Sequence, residues 1–469
     1  RMRNLMPYRS VVLILLAGVV GGCTLHPAGE RQERQAALNA GKPYEKSAEA
    51  RTAPVLADHP TPDDLVQYAL LTNAEVEKQY WQWRAAIEQV PIDGTQSTNL
   101  AISIGTTLNN GAFSLDRTTV VAGNDPMTDI VLPPKLSAAA HRSLENAKAA
   151  GVRFRKAQFE VRRKVLEAYD DYALNAELIR LGEENIGLLQ MTATITEARN
   201  RSGMGGQQDV LRSRNEVDLA KNDVANMQSM LPIQRAAVNA LLNRPPTAAI
   251  PIPATLPATR LIAGSDQYLL DRAAQVNPEL IALDDEIRGK HEEIHLARLQ
   301  YVPDISLSAS TDLKGMAQTL LGQFTVPIIR YEALRAAVEQ AEANLNAAQA
   351  MRRQTGNDLA AQLVDDIATL RDADRQLDLL RHTLIPRAHQ VVSLARTAYE
   401  TGRASLLDML DSQRSLIDIK RLTVNLESAR DKRLVEIEAI DAINLEASSR
   451  PFCASRGKTF AAPHASLDR

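Results

Sequence analysis

The chain has 469 residues, a formal net charge of −3 and two cysteines, and only 4% of its residues are aromatic. This slightly acidic balance gives no reason to expect a nucleic-acid partner, and two cysteines are too few for a disulfide framework. Few aromatic residues beside abundant Ala, Leu, Glu, Arg and Gln favour helices over a β-rich core. The length allows two or three domains.

Residues 1–22 are predicted to be a signal peptide. Three arginines precede a short apolar run, which ends in two glycines directly before Cys23. A basic start and so short an apolar run are typical of a secretory signal. Small residues before a cysteine favour lipoprotein processing, so Cys23 is the expected lipidation site, with ordinary cleavage nearby as the alternative. Residues 23–61 are then a lipid-anchored N-terminal segment, and Thr24 after the cysteine favours the outer membrane as its destination.

The first half of the mature chain, residues 62–255, is predicted to contain a helix, two strands and a long helical hairpin. At about 98–108 apolar residues alternate with small or polar ones, which indicates a strand with one apolar face. A short return strand is expected at about 126–133, after a turn-like stretch. From about 137 to 242 the apolar spacing alternates between three and four residues, as in coiled coils, and a glycine-rich break divides this stretch into two helices.

The second half, residues 256–445, is predicted to repeat this order after a proline-rich connector. A helix is expected up to about Tyr301, followed by strands at about 304–311 and 317–329. A second helical hairpin is expected at about 330–445, and Pro386 should kink its first helix. Residues 446–469 form a polar C-terminal tail.

The breaks in the two hairpins share a pattern that indicates an internal repeat. Gly203 is followed six residues later by Asp209, and Gly402 is followed six residues later by Asp408, an offset of 199 residues. A repeat of this size predicts a pseudo-symmetric architecture.

The predicted strands are too few to enclose a pore within one chain. Two strands per half give four per chain, and four strands cannot close a barrel wide enough for solutes. Three chains would supply twelve strands, which is within the range of membrane barrels. Alanine-rich seams on the long helices would allow close lateral packing between neighbours.

Several short segments around the second-half junctions carry a family resemblance. Two of them lie where a helix leads into a strand: Asn277–Leu280 and Tyr301–Ser308. Three lie around the second helical turn: Tyr399–Gly402, Leu407–Asp411 and Gln413–Leu416. In their order and spacing, together with the repeat and the lipidation signal, they resemble the TolC-like outer membrane efflux protein family, in particular its lipoprotein branch. The resemblance covers roughly residues 62–445.

The resemblance implies a mainly α fold with a small β part, and two internal repeats per chain. The implied assembly is a homotrimer with an outer-membrane β-barrel and a periplasmic α-helical barrel. The implied function is the exit duct of a tripartite efflux or export system. The implied partners of the chain are a periplasmic adaptor protein, an inner-membrane pump and outer-membrane lipid. No nucleic-acid partner and no cofactor are expected. The expected location is the outer membrane of a Gram-negative bacterium, lipid-anchored and mostly periplasmic.

The same resemblance assigns a periplasmic gate to the helical turns at Gly203 and Gly402. Asp408 and Asp411 match the positions at which the family forms a ring of aspartates. A trimer would bring six of these carboxylates together, which would raise some of their pKa values and attract cations. Arg403 is expected to pair across the turn, and Asp209 is its weaker counterpart in the first half. The alternative is that these aspartates only stabilise helix starts.

Two rival functions are weighed against the duct. Residues 291–295 fit H-E-x-x-H, with His291 and His295 at i and i+4, but no third ligand follows at a suitable distance, so no catalytic zinc is expected. No other catalytic motif is evident, and the chain is predicted not to be an enzyme. A periplasmic scaffold or adaptor-type helical lipoprotein without an open transmembrane pore remains the alternative function.

Overall fold

The structure is a computed structural model that describes residues 24–46, 51, 56–96, 100–106, 118–124, 130–253, 255–256, 260, 264–312, 318–326 and 328–442. Most of these residues are helical, so the predicted mainly α fold with a small β part is confirmed. No helix in these ranges combines the length and apolar character needed to cross a bilayer.

The chain forms two compact units, and each draws on both sequence repeats. The sheet unit comprises Arg1–Lys46, Glu77–Lys156 and Pro278–Gly356. The turn unit comprises Ser47–Val76, Ala157–Asn277 and Asn357–Arg469. The compact units therefore cut across the division into residues 62–255 and 256–445, which remains a sequence-based prediction of repeats.

The sheet unit contains a four-stranded antiparallel sheet in the order β1-β2-β3-β4. The strands are β1 (Leu100–Thr106), β2 (Thr118–Asn124), β3 (Asp304–Asp312) and β4 (Gln318–Thr325). β2 of the first repeat pairs with β3 of the second, so both repeats contribute to one sheet.

The second strand of the sheet begins earlier than the return strand predicted at about 126–133. β2 lies within the stretch interpreted as a turn. Residues 126–129 of the predicted strand are outside the described residues, and among residues 130–133 Ile130 forms a bridge to Ile305. Thr118–Val121 consists entirely of β-branched residues, which suit a pleated strand, whereas Pro126 cannot donate to a ladder. Leu108, predicted on the apolar strand face, is outside the described residues.

The strands expose large apolar side chains. Ile102 and Ile104 alternate along β1 with exposed fractions of 65% and 72%, and Phe324 on β4 is 67% exposed. Within one chain these side chains are therefore not covered by other residues. This agrees with the prediction that each strand has an apolar face.

The sheet unit also contains helices, two of which meet at an aromatic cluster. The helical elements of this unit are α1 (Glu30–Gly41), α3 (Ala74–Asp93), the first part of α4 (Pro133–Arg201), α7 (Pro278–Leu299) and the first part of α8 (Tyr331–Leu379). Trp83 on α3 stacks on Phe154 of α4 at 5.6 Å between ring centroids. The Trp83 indole nitrogen donates to Glu33 of α1 at 3.0 Å, which holds the N-terminal segment on this cluster.

The turn unit contains two short helices and the distal parts of the hairpins. α2 (Pro62–Thr72) and α6 (Asp266–Val276) each have 11 residues, and α5 (Gln207–Leu241) and α10 (Leu406–Ile440) each have 35. The helical hairpins predicted at about 137–242 and 330–445 correspond to α4–α5 and to α8–α10, where α9 spans Ile385–Glu400.

The predicted disturbance at Pro386 takes the form of a π turn. The helix between Tyr331 and Glu400 continues through Leu380–Leu384 with π geometry, and the Ile385 amide donates to the Leu380 carbonyl oxygen five residues back. A π turn adds one residue to a helix, so it accommodates a proline without ending the helix.

The repeat is visible in individual contacts of the turn unit. The Asn73 side-chain amide donates to the carbonyl of Leu241 at 2.8 Å, and Asn277 donates to the carbonyl of Ile440 at 3.0 Å. Leu241 and Ile440 are the last residues of α5 and α10, whose final carbonyls have no partner within the helix. Each asparagine thus caps the last helix of its own repeat.

Candidate functional site

The two helical turns have the same backbone geometry. Gly203 and Gly402 have φ angles of +77° and +74°, a left-handed conformation that favours glycine. The amide after each glycine bonds the carbonyl five residues back, from Met204 to Arg199 at 2.9 Å and from Arg403 to Ala398 at 2.8 Å. This pattern is a Schellman motif, which ends a helix and reverses the chain.

The helix starts after the two turns differ. Ser405 caps α10: its hydroxyl accepts from the Asp408 amide at 3.2 Å, and the Asp408 carboxylate accepts from the Ser405 amide at 2.9 Å. This capping box is absent from the first turn, where Gly206 is the N-cap of α5 and has no side chain. The hydrogen bonds from the Ser405 side chain and backbone lower the pKa of Asp408 below the ordinary carboxyl value.

The predicted gate residues all lie at these turns, in the turn unit. Asp408 and Asp411 are exposed on the first two turns of α10, and Asp209 is half-buried at the corresponding position of α5. Among the described contacts, the Arg403 guanidinium makes no ion pair or hydrogen bond, so the expected pairing across the turn is not part of this arrangement. The helix-start role of Asp408 is present in its capping box, and the gate role of these residues stays a prediction.

A different cation, Arg199, connects the two turns. Its guanidinium lies 4.5 Å from the centroid of the Tyr399 ring and donates to the Tyr399 carbonyl oxygen. It also donates to the carbonyl of Met204 in its own turn at 3.2 Å. Sequence reasoning missed Arg199, because arginine is common in the last turn of a helix for electrostatic reasons alone. Aligning the halves would have shown alanine, Ala398, at the equivalent position.

Tyr399 is held from several sides. Its side chain is 3% exposed, and its hydroxyl donates to the Thr196 hydroxyl at 3.2 Å. The ring belongs to a buried cluster that joins α4, α5 and the start of α10, with these members: Leu189, Val217, Ala220, Leu406, Met409 and Leu410. Burial of this cluster fixes where α10 begins, and with it the positions of the two exposed aspartates.

Comparison with known proteins shows a resemblance to outer-membrane efflux channels. The sequence profile described as "Outer membrane efflux protein" matches residues 269–442. The structure of the outer-membrane channel OprN superposes with a TM-score of 0.70 and 18% identity, covering 85% of this chain and 95% of OprN. Residues 269–442 of the chain are thus similar to the outer membrane efflux protein family. The fold of the chain is TolC-like, as predicted.

Curated proteins show the same resemblance. The cation efflux system protein CusC of Escherichia coli K12 is 24% identical over 282 residues, which is 57% of this chain and 60% of CusC. The solvent efflux pump outer membrane protein SrpC of Pseudomonas putida is 23% identical over 314 residues, which is 62% of this chain and 64% of SrpC. The aligned regions thus span somewhat less than two thirds of these relatives. By its name, SrpC is an outer membrane protein.

Proposed function

We propose that this chain is an outer-membrane channel subunit that serves as the exit duct of a tripartite efflux or export system. The observation that carries the proposal is the incomplete sheet. Among the described residues β1 and β4 each pair on one side only, and both expose apolar side chains. Open edges with exposed apolar residues are unfavourable in water and favour pairing with other strands. Three copies would close twelve strands into a β-barrel, as a channel requires.

The proposed partners follow from the family. A periplasmic adaptor protein would join the homotrimer to an inner-membrane pump, and the outer-membrane lipid would surround the strands. The chain would have no enzymatic activity of its own and no nucleic-acid partner. The names of CusC and SrpC refer to cations and to solvents respectively, so the family relationship selects no cargo for this chain.

The lipid anchor at Cys23 is part of the proposal, although Cys23 lies outside the described residues. It is tested by labelling cells with radioactive palmitate and isolating the chain. Cys23→Ala should abolish the label, and Cys453→Ala is the matched control, because Cys453 is the other cysteine of the sequence. If the Cys23→Ala variant still incorporated palmitate, Cys23 would not be the lipid anchor.

The decisive experiment for the duct is single-particle electron microscopy of the detergent-solubilised protein. The proposal expects a three-fold particle with a closed collar of strands. A monomer, or a helical bundle without the collar, would overturn the duct and favour a periplasmic scaffold or adaptor-type lipoprotein without a transmembrane pore.

The gate is proposed at Asp408 and Asp411, with Arg403 and Asp209 as flanking charges and Gly203 and Gly402 as the turns that carry them. Replacing both exposed aspartates by asparagine should lower the cation preference of the open channel, measured from the reversal potential in a planar bilayer under a KCl gradient. Ser405→Ala is the control, since it breaks the same helix cap as Asp408→Asn but keeps both carboxylates. Unchanged selectivity in the double variant would exclude the gate assignment.

A further inference from the structure

The histidine pair of the H-E-x-x-H sequence is not used by the proposed duct. His291 and His295 are exposed on α7 in the sheet unit, one helical turn apart, so their side chains project from the same face. Both line a surface cavity of about 470 Å³ between α7 and α8. Two imidazoles at this spacing on one helix suit the chelation of a single metal ion.

The hydrogen-bonding surroundings of the two rings favour the same ring nitrogen as ligand. The Nδ1 atom of His291 lies 2.9 Å from the carbonyl oxygen of Ile287, one turn back on α7. A carbonyl oxygen can only accept, so Nδ1 carries the proton and Nε2 of the neutral ring keeps its lone pair. In His295, Nδ1 faces the Glu292 carboxylate at 3.7 Å, which favours the same tautomer.

These contacts correspond to the supporting interactions of metal-bound histidines. A histidine ligand commonly donates its second ring N–H to a backbone carbonyl or a carboxylate, which orients the ring and raises its basicity. Here His291 has the carbonyl of Ile287 at hydrogen-bond distance, whereas the Glu292 carboxylate lies 3.7 Å from His295, an electrostatic contact without a hydrogen bond. The His291 ring is thus prepared to bind through Nε2, and the carboxylate beside His295 favours the same orientation of the second ring.

The charges around the cavity allow a cation. Arg298, which lines the cavity, is paired with Glu342 of α8 at 2.9 Å, so its positive charge is compensated. The Glu292 carboxylate adds a negative charge beside His295. Among the described residues, no group of three or more His, Cys, Asp or Glu side chains is placed to hold a metal. A metal at this cavity would therefore have two protein ligands and water at its remaining positions.

We propose that His291 and His295 form a two-histidine chelate for a divalent first-row transition-metal ion on the surface of the sheet unit. Imidazole ligands bind Cu²⁺, Ni²⁺ and Zn²⁺, and Cu²⁺ is held most tightly of these. The site is a binding site and not a hydrolytic centre, because it lacks the third ligand that a catalytic zinc requires.

The test uses the full-length, detergent-solubilised protein without a histidine tag. Titration calorimetry with Cu²⁺ and electron paramagnetic resonance should report one site per chain with two nitrogen ligands. His291→Ala or His295→Ala alone should leave one nitrogen ligand and weaken binding at least tenfold, and the double variant should lose the site. Alanine is a strong helix former and both histidines are exposed, so circular dichroism should show unchanged helicity.

The matched control is the double variant His382→Ala/His389→Ala. These exposed histidines are seven residues apart, about 10 Å along a helix, which is too far for one ion to bridge. The control should bind Cu²⁺ as the unmodified protein does. The proposal is overturned if His291→Ala/His295→Ala binds Cu²⁺ with unchanged affinity and nitrogen coupling, or if the control loses binding equally.

Discussion

The guanidinium of Arg199 lies 4.5 Å from the centroid of the Tyr399 ring and donates to the Tyr399 carbonyl oxygen, 200 residues away in sequence. The first contact holds the side chain of Tyr399, and the second holds the backbone of the turn that precedes α10. Together with the bond from Arg199 to the carbonyl of Met204, these contacts join the turns of both repeats through one side chain.

Replacing Arg199 by alanine should loosen both turns. A cation–π contact is worth about 0.5–1 kcal/mol and each of the two hydrogen bonds about 1 kcal/mol, so the turns should lose about 2.5–3 kcal/mol of local stability. Amide hydrogen exchange at residues 200–206 and 399–405 should accelerate accordingly. Arg199→Lys should be intermediate, because lysine keeps the charge but not the planar fork.

The control for Arg199 is Arg212→Ala. Arg212 is exposed on α5, and its side chain has no contact among those that the structure describes. Equal exchange rates in the two alanine variants would show that the contacts of Arg199 do not stabilise the turns.

Gly402→Ala should destabilise the protein through the backbone alone. An added Cβ would meet only the Arg199 guanidinium, at 3.7 Å, but the φ of +74° is unfavourable for alanine. The expected cost is about 1 kcal/mol, and Gly402→Asn should cost less because asparagine tolerates this conformation. Thermal unfolding measures both variants.

Gly187→Ala is the opposite case in the same molecule. Gly187 is exposed within α4, and an added Cβ there meets nothing within 4 Å. Alanine should therefore stabilise the helix by about 0.5–1 kcal/mol. If Gly402→Ala stabilised the protein to the same extent, the left-handed turn would be refuted.

Ser405→Ala should remove the side-chain cap of α10. The expected loss is about 1 kcal/mol in the free energy of unfolding, with Ser415→Ala on the exposed face of α10 as control. The pKa of Asp408 is lowered in the fold, so the contribution of its carboxylate is present above the ordinary carboxyl pKa and is lost as pH falls through the lowered value. Denaturant unfolding between about pH 7 and pH 2 should show the difference between the unmodified protein and Ser405→Ala shrinking only in acid, with the part due to the hydrogen bond from the Asp408 amide remaining. A difference that does not shrink in acid would contradict this role of the carboxylate.

Asp366→Asn should stabilise the protein in a pH-dependent way. Asp366 is fully buried on α8 near the apolar cluster of Leu363, Ile367 and Leu434, and its Oδ2 atom has no partner among the described residues. Burial, reinforced by Glu436, raises the pKa of Asp366 to about 6. The charged form is therefore penalised in the fold, and this penalty is absent in strong acid and complete above about pH 6.

The gain from Asp366→Asn should be about 1–3 kcal/mol at pH 8 and should vanish towards pH 4. Arg433, which donates to Asp366 at 3.0 Å, keeps its second partner Glu436 at 2.7 Å in the variant. Asp418→Asn, at an exposed position of α10, should leave stability unchanged at every pH. Urea unfolding between pH 4 and pH 8 measures the free energy of unfolding of these variants. A loss of stability in Asp366→Asn at pH 8 would show that the bond to Arg433 contributes more than the burial of the charge costs.

Local patterns were enough to predict the helical hairpins and their turns. The apolar spacing of α4 and α8 and the glycines at 203 and 402 act over a few residues, so they can be read without knowing what packs against them. The position of β2 could not be read in this way. Strand pairing depends on partners distant in sequence, and β2 pairs with β3 of the other repeat.

By itself, the sequence determined the helical character, the repeat and the places of the two turns, because each depends on local backbone preferences. Only the tertiary structure decided which side chains act at the turns. It placed Arg199 against Tyr399 and paired Asp408 with Ser405, while Arg403, the cation favoured by its position beside Gly402, makes no such contact among the described residues. The physical reason is that contacts across about 200 residues depend on how α4, α5 and α10 pack together, and the residue types near a turn do not specify that packing.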